Sequence, residues 1–140
     1  METILAAPAW KQASLVRERE ITSQDLVEAH LARIESINPT LNALVQSTAE
    51  AALAEATAAD GTTAAGTAGG PLHGVPFTAK DWIETAGVIC AAGFEARAGF
   101  VPRRDATVVR RMRDAGAILL GKTNVAETNL VYGATYNPYD

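Results

Sequence analysis

The sequence predicts an α/β layered fold built as one domain. Apolar residues recur at helical spacing in residues 21–39 and 105–115. Residues 74–81 alternate with period two, and residues 117–120 form a short apolar run bounded by glycines. Alternation is typical of a half-buried strand, and a short apolar run suits a strand covered on both faces. Helices and strands in this order indicate helices layered on a sheet.

Length and charge limit the classes of function. The chain has 140 residues and a formal net charge of -4, which suits one compact domain. An acidic chain without a broad basic surface argues against a nucleic-acid partner. One local group of arginines, spaced as the solvated face of a helix, comprises Arg103, Arg104, Arg110, Arg111 and Arg113.

Cysteine content and hydropathy favour a cytoplasmic protein. Cys90 is the only cysteine, which excludes an internal disulfide and a zinc site made of several thiolates. Residues 1–10 lack the segments of a secretory signal, and no stretch is apolar enough to cross a membrane. We therefore expect a cytoplasmic location, no membrane partner and no metal.

The first long helix is expected at residues 21–39. Thr22 or Ser23 is placed as its N-cap, and the Asn38-Pro39 pair is expected to stop it. Its buried stripe is expected to comprise Leu26, Val27, Leu31 and Ile34.

Two weaker elements and a loop follow. Residues 41–46 are predicted to be extended, and residues 47–59 form an alanine-rich helix with high propensity but a thin apolar face. Residues 60–70 contain only Asp, Gly, Thr and Ala, which predicts a flexible loop.

The strand at residues 74–81 has a lysine near its end. Pro76, Thr78 and Lys80 lie on one face of this strand, and its apolar residues lie on the other. Pro76 confines the strand to a sheet edge or forms its first residue, because proline cannot donate to the ladder. Lys80 then lies near the carboxyl end, where open α/β sheets place their chemistry.

The last third is predicted to be a helix, a strand and a helix. Asp105 is placed to cap a helix that ends before Gly116. Its buried stripe is expected to comprise Val108, Val109, Met112 and Ala115. Residues 117–120 are predicted to form a strand closed by Gly121, and Thr123 or Asn124 is expected to begin another short helix.

Residues 116–123, GAILLGKT, match the G-x-x-x-x-G-K-T pattern of a phosphate-binding loop. This alternative would make the chain a nucleotide-binding module that uses Lys122. A phosphate-binding loop needs exposed backbone amides between a strand and a helix. Here the residues before the first glycine are helical in pattern, and the four variable positions are apolar. A buried strand is therefore the preferred interpretation.

Lys80 could act as a base or could lie exposed at a strand end, which is the commoner fate of lysines. A lysine works as a general base when burial or a neighbouring cation lowers its pKa, and it then needs a hydroxyl nucleophile. The four serines, Ser14, Ser23, Ser36 and Ser47, all lie in helical or capping contexts. Cys90, His30 and His73 have no partner that the pattern identifies.

Several segments together resemble the amidase signature family. The resemblance runs in order through nearly the whole chain, from residues 21–39 through 72–81, 104–109, 115–117 and 121–124 with Glu127, to Tyr132-Gly133 and Asn137-Pro138. It implies a mixed β-sheet covered by helices and hydrolysis of carboxylic amides without a cofactor. Lys80 would be the catalytic lysine of a serine, cis-serine and lysine mechanism acting on a small-molecule amide.

The resemblance also implies that the catalytic unit is incomplete here. The family's two serines belong to a glycine- and serine-rich segment after the position of Asn137-Pro138. Residues 1–140 are therefore expected to be the amino-terminal part of a single amidase domain, inactive alone and with uncovered apolar surface that favours self-association.

Two positions depart from the pattern expected of one branch of the family. Trp82 replaces a polar residue, and Thr128 stands where transfer-RNA-dependent amidotransferases often have phenylalanine. Both favour a general amidase over the alternative, the A subunit of such an amidotransferase. A noncatalytic fragment that only self-associates is the remaining alternative.

Overall fold

The computed structural model describes residues 2–125 and 131–139. Its helices are α1 (Glu2–Leu5), α2 (Ala9–Arg17), α3 (Ser23–Leu41), α4 (Ala49–Ala64) and α5 (Thr107–Asp114), with one 3-10 turn at Glu95–Arg97. Its strands are β1 (Leu44–Ser47), β2 (Pro76–Lys80) and β3 (Ile118–Thr123). The predicted α/β class is confirmed.

The three strands form one mixed sheet in the order β1-β3-β2. Strand β3 is central, antiparallel to β1 and parallel to β2. Pro76 is the first residue of β2, and β2 is an edge strand of this sheet. Both positions were expected of a proline that cannot donate to a ladder.

Helices cover both faces of the sheet. On one face, Val27 of α3 and Ala52 and Ala56 of α4 pack against Ile118 and Leu120 of β3. On the other face, Val109 of α5 packs against Ala79 of β2 and Leu119 of β3. Alternate residues of β3 thus enter two separate cores, which explains why this strand is apolar at successive positions.

Helix α3 begins where its capping residues predict but ends later. Thr22 accepts a hydrogen bond from the Asp25 backbone, and the Asp25 side chain accepts one from the Thr22 backbone. The helix continues past Pro39 to Leu41, so the predicted stop at Asn38-Pro39 is wrong. Proline removes a single donor close to the helix end, and the left-handed Asn42 then ends the helix.

Helix α4 extends into the segment that was expected to be a loop. It reaches Ala64, so residues 60–64 are helical and only residues 65–70 lie outside regular structure. Contacts with distant residues accompany the extension: Arg19 donates to the carbonyls of Thr63 and Ala64, and the Asp60 carboxylate accepts hydrogen bonds from the backbone N–H groups of Ser23 and Gln24. Composition alone does not reveal a contact between residues so distant in sequence.

Helix α5 differs from its prediction at its start and on one face. Asp105 does not cap it; its carboxylate accepts a hydrogen bond from the Ala86 backbone and lies 3.4 Å from Nε of Arg113. Val109 is buried as expected, whereas Val108 is 54% exposed. Thr123 ends β3, and Asn124 and Val125 are not helical. The rest of the short helix expected there, with Glu127 and Thr128, lies outside the described residues.

Candidate active site

Lys80 lies at the carboxyl end of the parallel pair of strands. It is the last residue of β2, and its Cα is paired with that of Thr123 at the end of β3. Its side chain is half-buried. Its Nζ atom lies 5.5 Å from the centroid of the Trp82 ring, within the range of a cation-π interaction.

The chain turns sharply after Lys80. The backbone N–H of Ile83 donates to the Lys80 carbonyl at 2.9 Å, and that of Asp81 donates to the Thr123 carbonyl at 2.9 Å. Residues 80–83 therefore form a hydrogen-bonded turn attached to the end of β3. We call residues 81–83 the β2 turn.

A second lysine lies directly beneath this turn. Lys122 is completely buried, and its Nζ donates to the carbonyls of Ile83 at 2.7 Å and Asp81 at 3.4 Å. Burial lowers the pKa of Lys122, while the nearby groups of Cys90, Asp81 and Glu84 oppose this shift. Residues 118–123 form a buried strand rather than an exposed loop, so Lys122 has no phosphate-binding geometry.

A β-bulge determines where Lys122 points. Phe77 pairs with Leu119, but the next residue, Thr78, pairs with Gly121, so Leu120 is the extra residue on β3. The insertion shifts the alternation by one position, which places Lys122 on the same face as Ala79. Regular alternation would have placed it on the opposite face.

Asp81 and Cys90 are buried next to Lys122 and form a polar cluster with it. Both carboxylate oxygens of Asp81 are buried and have no hydrogen-bond partner among the described residues. The Cys90 thiol donates to the Asp81 carbonyl at 2.7 Å. Burial raises the pKa of the Cys90 thiol, so it stays protonated at neutral pH and is a poor nucleophile.

The serines lie away from Lys80. Ser14 and Ser36 are on helices α2 and α3. Ser47 is on β1, separated from β2 by β3, which corresponds to about 10 Å. Ser23 packs beside Gly74, which lies in the turn before β2, at the opposite end of that strand from Lys80. The structure therefore brings no serine of its described residues next to Lys80.

The two histidines have structural surroundings. Nε2 of His73 lies 3.0 Å from Oγ1 of Thr63 and 3.1 Å from the Ala59 carbonyl. These contacts join the end of α4 to the segment before β2, and they are partners that the sequence did not identify. Nε2 of His30 is buried without a hydrogen-bond partner among residues 2–125 and 131–139.

The described part of the chain lacks the features of a metal centre. No group of three or more His, Cys, Asp or Glu residues there could hold a metal ion. None of the helices described in residues 2–125 and 131–139 combines the length and apolar character needed to span a bilayer.

The sequence predicts Lys80 as a candidate site residue, but it does not predict the buried polar residues Asp81, Cys90 and Lys122 next to the turn that follows it. Asp81 directly follows Lys80, and its burial has no signal in the alternation. The sequence assigns Lys122 a role only in the phosphate-binding alternative, although it also lies in the segment 121–124 of the family resemblance. The sequence signal for the unexpected position of Lys122 was the glycine before it, because a glycine inside a strand often marks a bulge or a close backbone approach. In the structure Gly121 has a φ of +151°, and a Cβ there would overlap the Gln46 carbonyl oxygen.

Comparison with known proteins relates this chain to amidases and to an amidotransferase subunit. The family described as Amidase matches residues 25–140. The chain is 37% identical over 147 aligned residues to the A subunit of the glutamyl-tRNA(Gln) amidotransferase of Acidothermus cellulolyticus, covering 100% of this chain and 29% of that protein. It is 36% identical over 138 residues to an acylamidase of Rhodococcus erythropolis, covering 94% of this chain and 29% of that protein.

A solved structure agrees at the level of the fold. The structure of a 6-aminohexanoate cyclic dimer hydrolase complexed with its substrate superposes with a TM-score of 0.84 at 35% identity, covering 97% of this chain and 28% of that chain. The present chain therefore spans less than a third of the length of these relatives.

Proposed function

The chain belongs to the amidase signature family, and from that premise we propose that residues 1–140 are the lysine-bearing part of an enzyme that hydrolyses carboxylic amides. In this proposal a serine attacks the amide carbonyl. Its proton passes through a second, bridging serine to Lys80 and then to the leaving amine. The observation that carries the proposal is the position of Lys80 at the carboxyl end of β2, beside β3.

The proposal also concerns the chain of 140 residues alone. Three of its four serines lie on α2 and α3, and the fourth lies at the end of β1, which β3 separates from the strand of Lys80. Members of such a catalytic unit act together, so losing the nucleophile removes about as much rate as losing the whole unit. We therefore expect no amide hydrolysis by this chain by itself.

The experiment measures ammonia release from simple aliphatic and aromatic amides by the complete polypeptide that contains residues 1–140. Lys80→Ala is expected to lower kcat by about 10²- to 10⁴-fold, the range for loss of a general acid-base group. Lys11→Ala, on helix α2, is the matched control and should retain full activity. Unchanged kcat in Lys80→Ala would refute the proposed role.

A second candidate is the A subunit of a transfer-RNA-dependent amidotransferase. The 37% identity to a relative of that name over the whole chain supports it, while the identity to an acylamidase is nearly the same. Hydrolysis of simple amides by the polypeptide without partner proteins favours the amidase. Activity that appears only with partner proteins and glutamyl-tRNA favours the amidotransferase.

A further inference from the structure

The backbone carbonyls of the β2 turn accept hydrogen bonds from side chains that belong to other parts of the fold. The Asp81 carbonyl accepts hydrogen bonds from Lys122 Nζ at 3.4 Å and from the Cys90 thiol at 2.7 Å. The Ile83 carbonyl accepts from Lys122 Nζ at 2.7 Å. One amine therefore joins the first and last residues of the turn.

Burying this amine is energetically expensive. Lys122 is fully buried and has no carboxylate within ion-pair distance among the described residues. A buried amine costs free energy unless hydrogen bonds compensate for the lost water. An apolar side chain of the same volume would fill the space without that cost. The two backbone carbonyls are the hydrogen-bond partners that compensate for burying the amine, and the nearby Asp81 and Glu84 charges also favour its protonated form.

The backbone of β3 is adapted to aim the amine. The bulge at Leu120 turns Lys122 toward the β2 turn, and the absence of a Cβ at Gly121 permits the close approach of the Gln46 carbonyl on β1. Bulges commonly re-aim a side chain beside a functional site.

The clamped turn contacts Lys80 through its backbone and through the Trp82 ring. Trp82 lies between the two clamped residues, and its ring is the one over which Lys80 Nζ lies, at 5.5 Å. The Lys80 carbonyl, directly before the turn, accepts the hydrogen bond from the Ile83 N–H that closes it. A shift of residues 81–83 would therefore move both the backbone that carries Lys80 and the ring that it packs against.

We propose that Lys122 is a positioning residue, whose amine clamps the β2 turn and thereby fixes Lys80 in its reactive position. The proposal rests on the proposed function of Lys80. Misplacement of a reacting group by about 1 Å can cost about 10²-fold in rate. Loss of the clamp should therefore lower kcat with little change in KM.

The first experiment is a double-mutant cycle in the complete polypeptide that contains residues 1–140. Lys122→Met, which removes the amine and keeps an unbranched apolar chain one atom shorter, is expected to lower kcat by about 10- to 100-fold. In a Lys80→Ala background the same change should alter the residual rate by less than about 2-fold, because coupled residues are non-additive. Equal losses in both backgrounds would show a general structural role and overturn the proposal.

Two further variants control for folding. Lys122→Arg keeps donors for both carbonyls and should have a clearly higher kcat than Lys122→Met. Lys11→Met makes the same substitution on α2 and should leave kcat unchanged. An arginine variant that folds but is as slow as Lys122→Met would contradict the clamp.

The second experiment needs no activity. Alkylation of Cys90 by iodoacetamide, followed by peptide mapping, reports opening of the β2 turn because the thiol binds the clamped Asp81 carbonyl. Lys122→Met should raise the alkylation rate at Cys90, and Lys11→Met should not. An unchanged rate overturns the clamp. A raised rate together with full activity of Lys80→Ala would preserve the clamp and refute the proposed function.

Discussion

The two lysines near the carboxyl end of β2 have different surroundings. Lys80 is half-buried on the edge strand, whereas Lys122 is completely enclosed and has a lowered pKa. Perturbed pKa values concentrate at functional sites but also occur in structural networks. The hydrogen bonds of Lys122 to two backbone carbonyls favour the structural interpretation. The accessible lysine is therefore the better candidate for proton transfer.

The burial of His30 predicts how the stability of the fold depends on pH. Burial lowers the pKa of His30 below its usual 6.5, and its buried Nε2 has no hydrogen-bond partner among the described residues. The folded state thus binds the proton less tightly than the unfolded state. The contribution of His30 to stability is complete above pH 6.5 and declines as the pH falls toward its folded pKa.

We expect an NMR titration to give a His30 pKa below 6.5. The chain has two histidines, so His30→Gln assigns the signals. The same variant should show a weaker loss of unfolding free energy between pH 6.5 and the folded pKa. A His30 pKa at or above the usual value would contradict the inferred desolvation.

At the scale of elements, helices α3 and α4 are joined through their ends. The Asp60 carboxylate, near the end of α4, accepts from the backbone of Ser23 at 2.6 Å and of Gln24 at 3.0 Å in the first turn of α3. Arg19 donates to the Thr63 carbonyl at 2.8 Å in the last turn of α4. A carboxylate at a helix start and a cation at a helix end both complement the helix dipole.

Asp60→Ala is accordingly expected to lower the free energy of unfolding by about 1–2 kcal/mol, the cost of losing a helix cap. Urea denaturation followed by circular dichroism would measure it. Glu35→Ala removes an exposed carboxylate from the same α3 helix and should change stability by less than about 0.5 kcal/mol. Similar effects of the two changes would mean that Asp60 contributes no specific cap.

The predicted elements were accurate where the signal was local. The start of α3 follows from the side chain of Thr22, and β2 follows from alternation with Pro76 at its first residue. Two of the errors occur where a distant partner decides, whereas the late end of α3 has a local cause, because Pro39 removes a single donor near the helix end. The end of α4 is held by distant contacts of Asp60 and of the Thr63 carbonyl, and Asp105 leaves α5 uncapped because its carboxylate contacts Ala86 and Arg113.

At the scale of the whole molecule, the strand that bears Lys80 is an edge. Within the described residues, β2 pairs only with β3. Thr78 is exposed on β2, and Trp82 is 54% exposed just beyond it. An edge strand beside an exposed aromatic ring is a favourable place for another chain to pair.

The chain of 140 residues is therefore expected to self-associate at micromolar to millimolar concentrations. Sedimentation velocity at increasing concentration would measure it. Trp82→Gln should weaken the association, whereas Trp10→Gln, at an exposed tryptophan on α2, should not. A monomer throughout the concentration range, or equal effects of the two changes, would argue against association through this edge.

The sequence by itself determined the layered α/β class, the family and the place of Lys80 at a strand end. These follow from local periodicity, capping chemistry and motifs read along the chain. Only the tertiary structure decided that Lys122 is buried, that it reaches the turn after Lys80, and that Asp81 lies beside it with unpaired oxygens among the described residues. The physical reason is that a bulge on β3, permitted by Gly121 against Gln46, sets which face each later side chain occupies. That register depends on strand pairing between distant segments, which a linear pattern does not encode.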